Sequence, residues 1–136
     1  MLNPEEITAL IREGVPAAEQ WQFQVLTVDG QTARCLLPYA ASQLRPGGTL
    51  SGPTMMTLAD AAMYAVVLAR YGKQLMAVTQ DFTIHFLSRP EACDLQATAT
   101  ILKAGKRSVV LSVHIYSRDV LVAHASGTYA LPKPAA

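Results

Sequence analysis

Charge is scarce in this chain. Only 15% of its 136 residues are Asp, Glu, Lys or Arg, and the formal net charge is +1. So weak a bias gives no bulk attraction to nucleic acid or to an anionic membrane, and neither is expected as a partner. Cysteine occurs twice, at Cys35 and Cys93, both inside alternating apolar runs. They read as buried free thiols in a reducing, cytoplasmic setting. Two cysteines without histidines at ligand spacing make no zinc site, so no metal is expected. The opening MLNPEEITALI has neither a basic region nor a long apolar stretch, and does not read as a signal peptide. The most apolar run, Pro53 to Ala69, falls short of the ~20 residues of a membrane span and carries Asp60 inside it. A G-x-S-x-G elbow is missing, as is any Ser-His-Asp order, which argues against a serine hydrolase.

What is present is apolar and patterned. Hydrophobic residues make up 51% of the chain, enough for a real core in a single domain spanning 1–136. No repeat or linker divides it, and the tail PKPAA is expected to fray. A short helix opens the chain: Asn3 caps it, Pro4 suits its first turn, Glu6 completes a capping box, and Gly14 is placed to end it. Trp21, Phe23 and Val25 alternate with glutamines as a strand. Asp29-Gly30 is a hairpin turn signal, and the returning strand puts Ala33, Cys35 and Leu37 on one side until Pro38 stops it.

A Gly- and Pro-rich loop over 38–52 precedes a long helix from about Pro53 to Tyr71, with Gly72 beyond its end. That helix is apolar nearly all round, which predicts protein on every side. Thr57, Asp60 and Tyr64 are the exceptions and share one stripe. Strands follow at about 76–88, 93–103, 107–117 and 120–131. In the first of them Val78, Phe82, Ile84 and Phe86 oppose Thr79, Asp81, Thr83 and His85. The short connections predict antiparallel neighbours. The architecture these elements imply is α+β, one curved antiparallel sheet wrapped around one buried helix.

Asp60 is the residue that needs explaining, because an ionisable group inside an apolar helix is costly unless paired or functional. Just upstream, Gly47-Gly48-Thr49-Leu50-Ser51-Gly52-Pro53 lets a substrate approach backbone N–H groups at the positive end of the helix. An acyl-transfer oxyanion needs such donors. Gly52 lies eight residues before Asp60, roughly 12 Å along the helix, so base and donor come together more readily between two subunits than within one. The alternative is a structural carboxylate bonded to backbone or to a tyrosine, with glycines that merely make a loop.

The run SGPTMMTLADAAMYAVVLARYG followed by AVTQDFTIHFLSRP resembles the phenylacetate-pathway (PaaI-like) thioesterases of the hotdog superfamily. Their pattern reads H-G-G, several apolar residues, L-A-D-x-A, then V-T-x-D-x-x-I-x-F-L-x-P. The later strands DLQATATILKAGKRSVVLSVHIYS and VLVAHASGTYAL extend the likeness over about Val25 to Leu131. The resemblance implies a hotdog fold, hydrolysis of an acyl-CoA thioester, and an active site between subunits of a homodimer or a dimer of dimers. Coenzyme A is then part of the substrate, and no separate cofactor is implied. Asp60 matches the general base or nucleophile, and Gly52 the glycine whose N–H polarises the thioester carbonyl. Thr79 matches a Ser or Thr that helps hold the attacking water across the subunit interface. Lys103, Lys106 and Arg107 match a turn near the nucleotide end of coenzyme A.

Departures from the pattern are specific. Ser51 stands where the family has histidine, Pro53 replaces the second glycine, and Arg45 aligns with an upstream asparagine. Ser51 remains able to bond a carbonyl or a water. Tyr64, one turn after Asp60, is placed either to bond it or to line the acyl pocket, and Met55, Met56 and Met63 suit core or acyl lining. A medium-chain or aromatic acyl group fits these side chains. Two other functions share the fold: a hydratase or dehydratase, which usually adds a histidine that Ser51 replaces, and a non-catalytic acyl-CoA-binding module, which would tolerate loss of Asp60. His85, His114 and His124 fall on the polar sides of their strands and read as exposed or interface side chains.

Overall fold

The computed structural model describes residues 1–133, and the end of the tail expected to fray, 134–136, lies outside them. Helix α1 is Pro4–Gly14, with Asn3 and Glu6 forming the reciprocal capping box. Gly14 is the last residue of α1, as the sequence predicted. The chain turns at Val15 into a second short helix, α2 (Pro16–Gln20), opened by Pro16 at its first turn. Trp21 therefore sits in the turn after α2 rather than in a strand. Strand β1 is Gln24–Val28 and β2 is Thr32–Leu37. The Asp29 carboxylate accepts from the N–H groups of Gln31 and Thr32 across the hairpin, and those bonds hold its carboxyl below the usual range.

A 3-10 turn, Ala41–Gln43, interrupts the loop that follows. Helix α3 runs Gly52–Tyr71 and ends at Gly72, whose φ of 80° is the left-handed value that glycine adopts without a steric penalty. At 20 residues, with a mean hydropathy of 1.2 over an 18-residue stretch, it reaches the length and apolarity of a membrane span, but 67% of that stretch is buried inside the protein. It is the core helix that the sequence predicted, packed chiefly on β2, β4 and β5.

The remaining strands are β3 (Val78–Phe86), β4 (Leu95–Ala104), β5 (Ser108–Ser117) and β6 (Val120–Ala130). All six form one sheet in the order β1-β2-β4-β5-β6-β3, antiparallel throughout. The expectation of sequential neighbours holds for β4, β5 and β6 but fails for β3. That strand crosses to the far edge and pairs with β6, while β4 pairs with β2. Gly127 lets β6 approach closely: an added Cβ would stand 2.8 Å from the Asp81 carbonyl oxygen and 3.2 Å from the Met63 sulfur.

Two features of this frame bear on function. First, α3 is not enclosed on every side. Pro53 and Met56 are exposed, and Thr57, Asp60 and Tyr64 are half-buried, so an uncovered stripe runs from the helix start past Asp60. Second, β3 is an edge strand with apolar residues left open, Val78 being 58% and Phe86 49% exposed.

Candidate active site

Asp60 sits on the open stripe of α3, and two hydroxyls meet one of its oxygens. Thr79 Oγ1 donates to Oδ1 at 2.7 Å, and the Tyr129 hydroxyl donates to the same oxygen at 2.8 Å. The Tyr129 hydroxyl is also 3.1 Å from the Asp60 carbonyl oxygen. The second carboxylate oxygen has no hydrogen-bond partner among the described residues. Asp60 is half-buried, so the cost of placing a carboxylate in an apolar helix is offset by the two hydroxyls at one oxygen and by solvent at the other.

A β-bulge makes this arrangement. The register between β3 and β6 shifts between Thr79 and Asp81. Strict alternation would put Thr79 on the outer face with Thr83 and His85. The extra residue, Gln80, turns Thr79 inward opposite Tyr129 and sends Val78 out to solvent. Thr79 consequently reaches Asp60 within a single chain, and the contact does not cross a subunit interface.

Tyr129 is the site residue that the sequence reading missed. It is 3% exposed, and burial, reinforced by the Asp60 charge, pushes its phenol well above the ordinary tyrosine range. It therefore stays protonated and acts as a fixed donor. Among the inward-facing positions of β6 it follows Ala123, Ala125 and Gly127. The signal was a lone polar tip in a row of small residues. Tyr64 does not bond Asp60: its hydroxyl donates to the Leu75 carbonyl at 3.3 Å, and its ring stacks on Tyr129 with centroids 6.0 Å apart. Met56, Thr57, Asp60, Thr79 and Phe82 line one mostly apolar hollow of about 340 Å³.

Gly52 opens α3, and its N–H has no acceptor among the described residues. The neighbouring donors are already engaged. Ser51 Oγ accepts from the Thr54 N–H at 3.2 Å and bonds Thr54 Oγ1 at 2.7 Å. That hydroxyl is an N-cap, which corrects the expectation that it is available to a substrate. Pro53 occupies the first turn and has no N–H to lose. An added Cβ on Gly52 would come 3.2 Å from the Phe86 ring. Arg45, Gly52, Met55, Phe86 and Arg89 line a second cavity of about 450 Å³, which shares no residue with the hollow at Asp60. A single chain therefore keeps donor and carboxylate apart, as their spacing along the helix predicted.

The basic turn lies elsewhere. Lys103, Lys106 and Arg107 are exposed, and the turn is tied to the far end of α3 by the Tyr71 hydroxyl, which donates to the Gly105 carbonyl at 2.8 Å. That end is roughly 28 Å from Gly52 along the helix axis. On the outer face of the sheet the histidines fall in register, His114 beside His124 and His124 beside His85. His114 and His124 pack edge to face, and His124 bonds Ser112 at 2.9 Å. They stand apart from Asp60, on the opposite side of the sheet.

Known proteins carry the same frame. A family model described as the thioesterase superfamily matches residues 47–124, which include Gly52, Asp60 and Thr79 but not Tyr129. A candidate esterase of Pseudomonas aeruginosa is 35% identical over 88 residues, 63% of this chain; the match covers just under two thirds of that protein, 65%. A candidate thioesterase of Silicibacter superposes with a TM-score of 0.85 at 30% identity, covering 98% of this chain and 94% of that one. The PaaI protein of the E. coli phenylacetic acid degradation operon gives 0.77 at 25% identity, over 91% of this chain and 94% of its own. With its hotdog sheet and helix, and with the family pattern running from the glycine loop through β5 into β6, the chain belongs to the thioesterase superfamily and resembles its PaaI-like members.

Proposed function

We propose that this protein hydrolyses the thioester of a medium-chain or aromatic acyl-CoA, with Asp60 as general base or nucleophile and the Gly52 N–H polarising the carbonyl. The observation that carries this reading is the half-satisfied carboxylate. Thr79 and Tyr129 fix one Asp60 oxygen, and the other has no partner in a hollow lined by Met56 and Phe82. Asp60 is half-buried and its second oxygen is open to solvent, so that oxygen is available to a water or a thioester while the two hydroxyls hold the carboxylate in place. In the reaction, water attacks the thioester carbon as Asp60 takes its proton, or Asp60 attacks directly and a water then cleaves the acyl-aspartyl anhydride to release the acid and restore the carboxylate. Negative charge develops on the carbonyl oxygen, where the Gly52 N–H meets it. Collapse expels the coenzyme thiolate, which recovers a proton.

The reading requires a second copy of the chain, because one copy keeps Gly52 and Asp60 in separate cavities. The open edge of β3 and the uncovered stripe of α3 support a homodimer built on those surfaces. In such a dimer the Lys103–Arg107 turn of one copy is free to serve the coenzyme phosphates of a substrate held largely by the other. The free cysteines suit a cytoplasmic location.

The test is a panel of acyl-CoAs followed by thiol release, run beside an enoyl-CoA hydration assay. Thiol release from medium-chain or aromatic members is expected. Hydration without thiol release would overturn the hydrolase assignment, as would acyl-CoA binding with no turnover of any kind.

A further inference from the structure

The cavity at Gly52 is lined in part by two exposed arginines for which the proposed hydrolysis has no use. Arg45 comes from the loop before α3, and Arg89 from the loop after β3. Neither forms a salt bridge among the described residues, where the single ion pair joins Arg118 to Glu91. Neither donates a side-chain hydrogen bond among the described residues, where the arginine donors are Arg12, Arg70 and Arg118. In a chain with only 15% charged residues and a net charge of +1, two unpaired arginines on one cavity form a local concentration of positive charge. Around them the lining is apolar or neutral: Leu50, Met55, Phe86, Leu87 and Pro90. Among the described residues no carboxylate lines the cavity.

Guanidinium groups favour planar oxyanions, which they bind through paired N–H donors. An acyl-CoA offers two kinds, the coenzyme phosphates and any carboxylate on the acyl group. Distance decides between them. A space of 450 Å³, taken as a sphere, is about 10 Å across. The arm between the thioester sulfur and the first phosphate is comparable to four or five extended residues, roughly 15 Å. With the thioester carbonyl at the Gly52 N–H, the phosphates fall outside this cavity, and a carboxylate several carbons from the carbonyl falls inside it.

We propose that Arg45 and Arg89 are specificity residues that recognise a carboxylate on the acyl group, so that the preferred substrates are CoA thioesters of dicarboxylic acids. This rests on the hydrolase reading for where the thioester lies. Arg45 and Arg89 reach the cavity from the loops before α3 and after β3, so they would hold the acid end without touching the reacting atoms.

The experiment compares kcat/KM for the CoA thioester of a six-carbon dicarboxylic acid with that for hexanoyl-CoA, in the wild type and in Arg45→Gln and Arg89→Gln. The wild type is expected to favour the acid-ended substrate by about tenfold or more, the scale of a hydrogen-bonded charge contact. Each substitution should bring that ratio toward one. A wild-type ratio near one overturns the proposal. So does an equal loss on both substrates that disappears with acyl-pantetheine thioesters, since the anion recognised would then be a coenzyme phosphate. Non-hydrolysable thioether analogues of the two substrates, titrated by calorimetry, separate this from the hydrolase reading. Tighter binding of the acid-ended analogue by a protein that hydrolyses nothing supports the arginine assignment and refutes only the hydrolysis.

Discussion

The Tyr129 hydroxyl donates to Asp60 Oδ1 at 2.8 Å, and Thr79 donates to that same oxygen at 2.7 Å. Two strands of the sheet thus clamp one atom of a helix residue. β6 supplies a buried phenol and β3 supplies a hydroxyl turned inward by a bulge. The clamp fixes the carboxylate plane and leaves the other oxygen for chemistry, which makes Asp60 separable, by experiment, from a purely structural acid.

Asp60→Asn is the direct test. The amide keeps an Oδ1 that accepts from both Thr79 and Tyr129, so the fold and the clamp should persist. The charge and the basic oxygen are lost. We expect kcat to fall about a hundredfold or more, the scale of a removed general base, with KM little changed. The melting temperature should stay close to wild type. A well-folded Asn variant that retains most of its hydrolysis would sink the catalytic assignment.

Tyr129→Phe removes one donor and keeps the ring that stacks on Tyr64. Loss of the bond should cost about 1–2 kcal/mol, because its acceptor is charged. As a positioning change it should lower kcat more than it raises KM. Its pH signature is distinctive. Burial raises the folded phenol pKa, so the folded chain keeps this proton to higher pH than the unfolded chain does. The contribution to stability is fully present below about pH 10, where both states are protonated, and declines as pH rises above it. Wild type should therefore lose melting temperature above about pH 10 more steeply than Tyr129→Phe. Parallel alkaline melting curves would contradict the buried, clamped phenol.

The sequence made the elements legible where one periodicity held throughout. Alternation in β2 named Ala33, Cys35 and Leu37 as buried, and all three are. Pro53 and Gly72 mark the ends of α3 through backbone chemistry that depends only on near neighbours. The same alternation failed in β3, because a single-residue bulge reverses the faces at Gln80, and nothing in residues 78–86 announces it. It also failed to foresee that β3 leaves β4 for β6, since that choice depends on which edge remains free once β2 has paired with β4. Asp60 and Gly52 were legible as an anomaly and a loop. Tyr129 was not, because its partner lies 69 residues away in sequence.

The dimer is tested at its proposed seam. Wild type, at 14.6 kDa per chain, should scatter light as a dimer or a multiple of it. Val78 is 58% exposed on the edge strand, so Val78→Lys should cost little within one chain. A lysine on each of two opposed edges should resist pairing. We expect the variant to run as a folded monomer with hydrolysis reduced in proportion. A wild type that stays monomeric at micromolar concentration would remove the shared site. A fully active Val78→Lys monomer would show that one chain suffices.

Gly52 is tested by adding one methyl group. Its N–H has no acceptor among the described residues, and the new Cβ would stand 3.2 Å from the Phe86 ring, inside normal contact distance. Phe86 lies on the edge strand and is 49% exposed, so the ring can yield by a few tenths of an ångström. The stability of Gly52→Ala should therefore remain within about 0.5–1 kcal/mol of wild type, the residual contact offset by alanine's better helix propensity. Activity should respond differently. A methyl group and a displaced ring occupy the approach to the N–H, so the thioester carbonyl sits off the donor. Removing one oxyanion donor costs about a hundredfold in kcat when it is lost outright, and a misplaced one should cost about tenfold. Phe86→Leu in the same chain makes room for the methyl and should restore part of the loss. If Gly52→Ala keeps full kcat, the N–H is not the group that meets the oxyanion. If activity falls only in step with melting temperature, and Phe86→Leu restores both together, the glycine is there for packing alone.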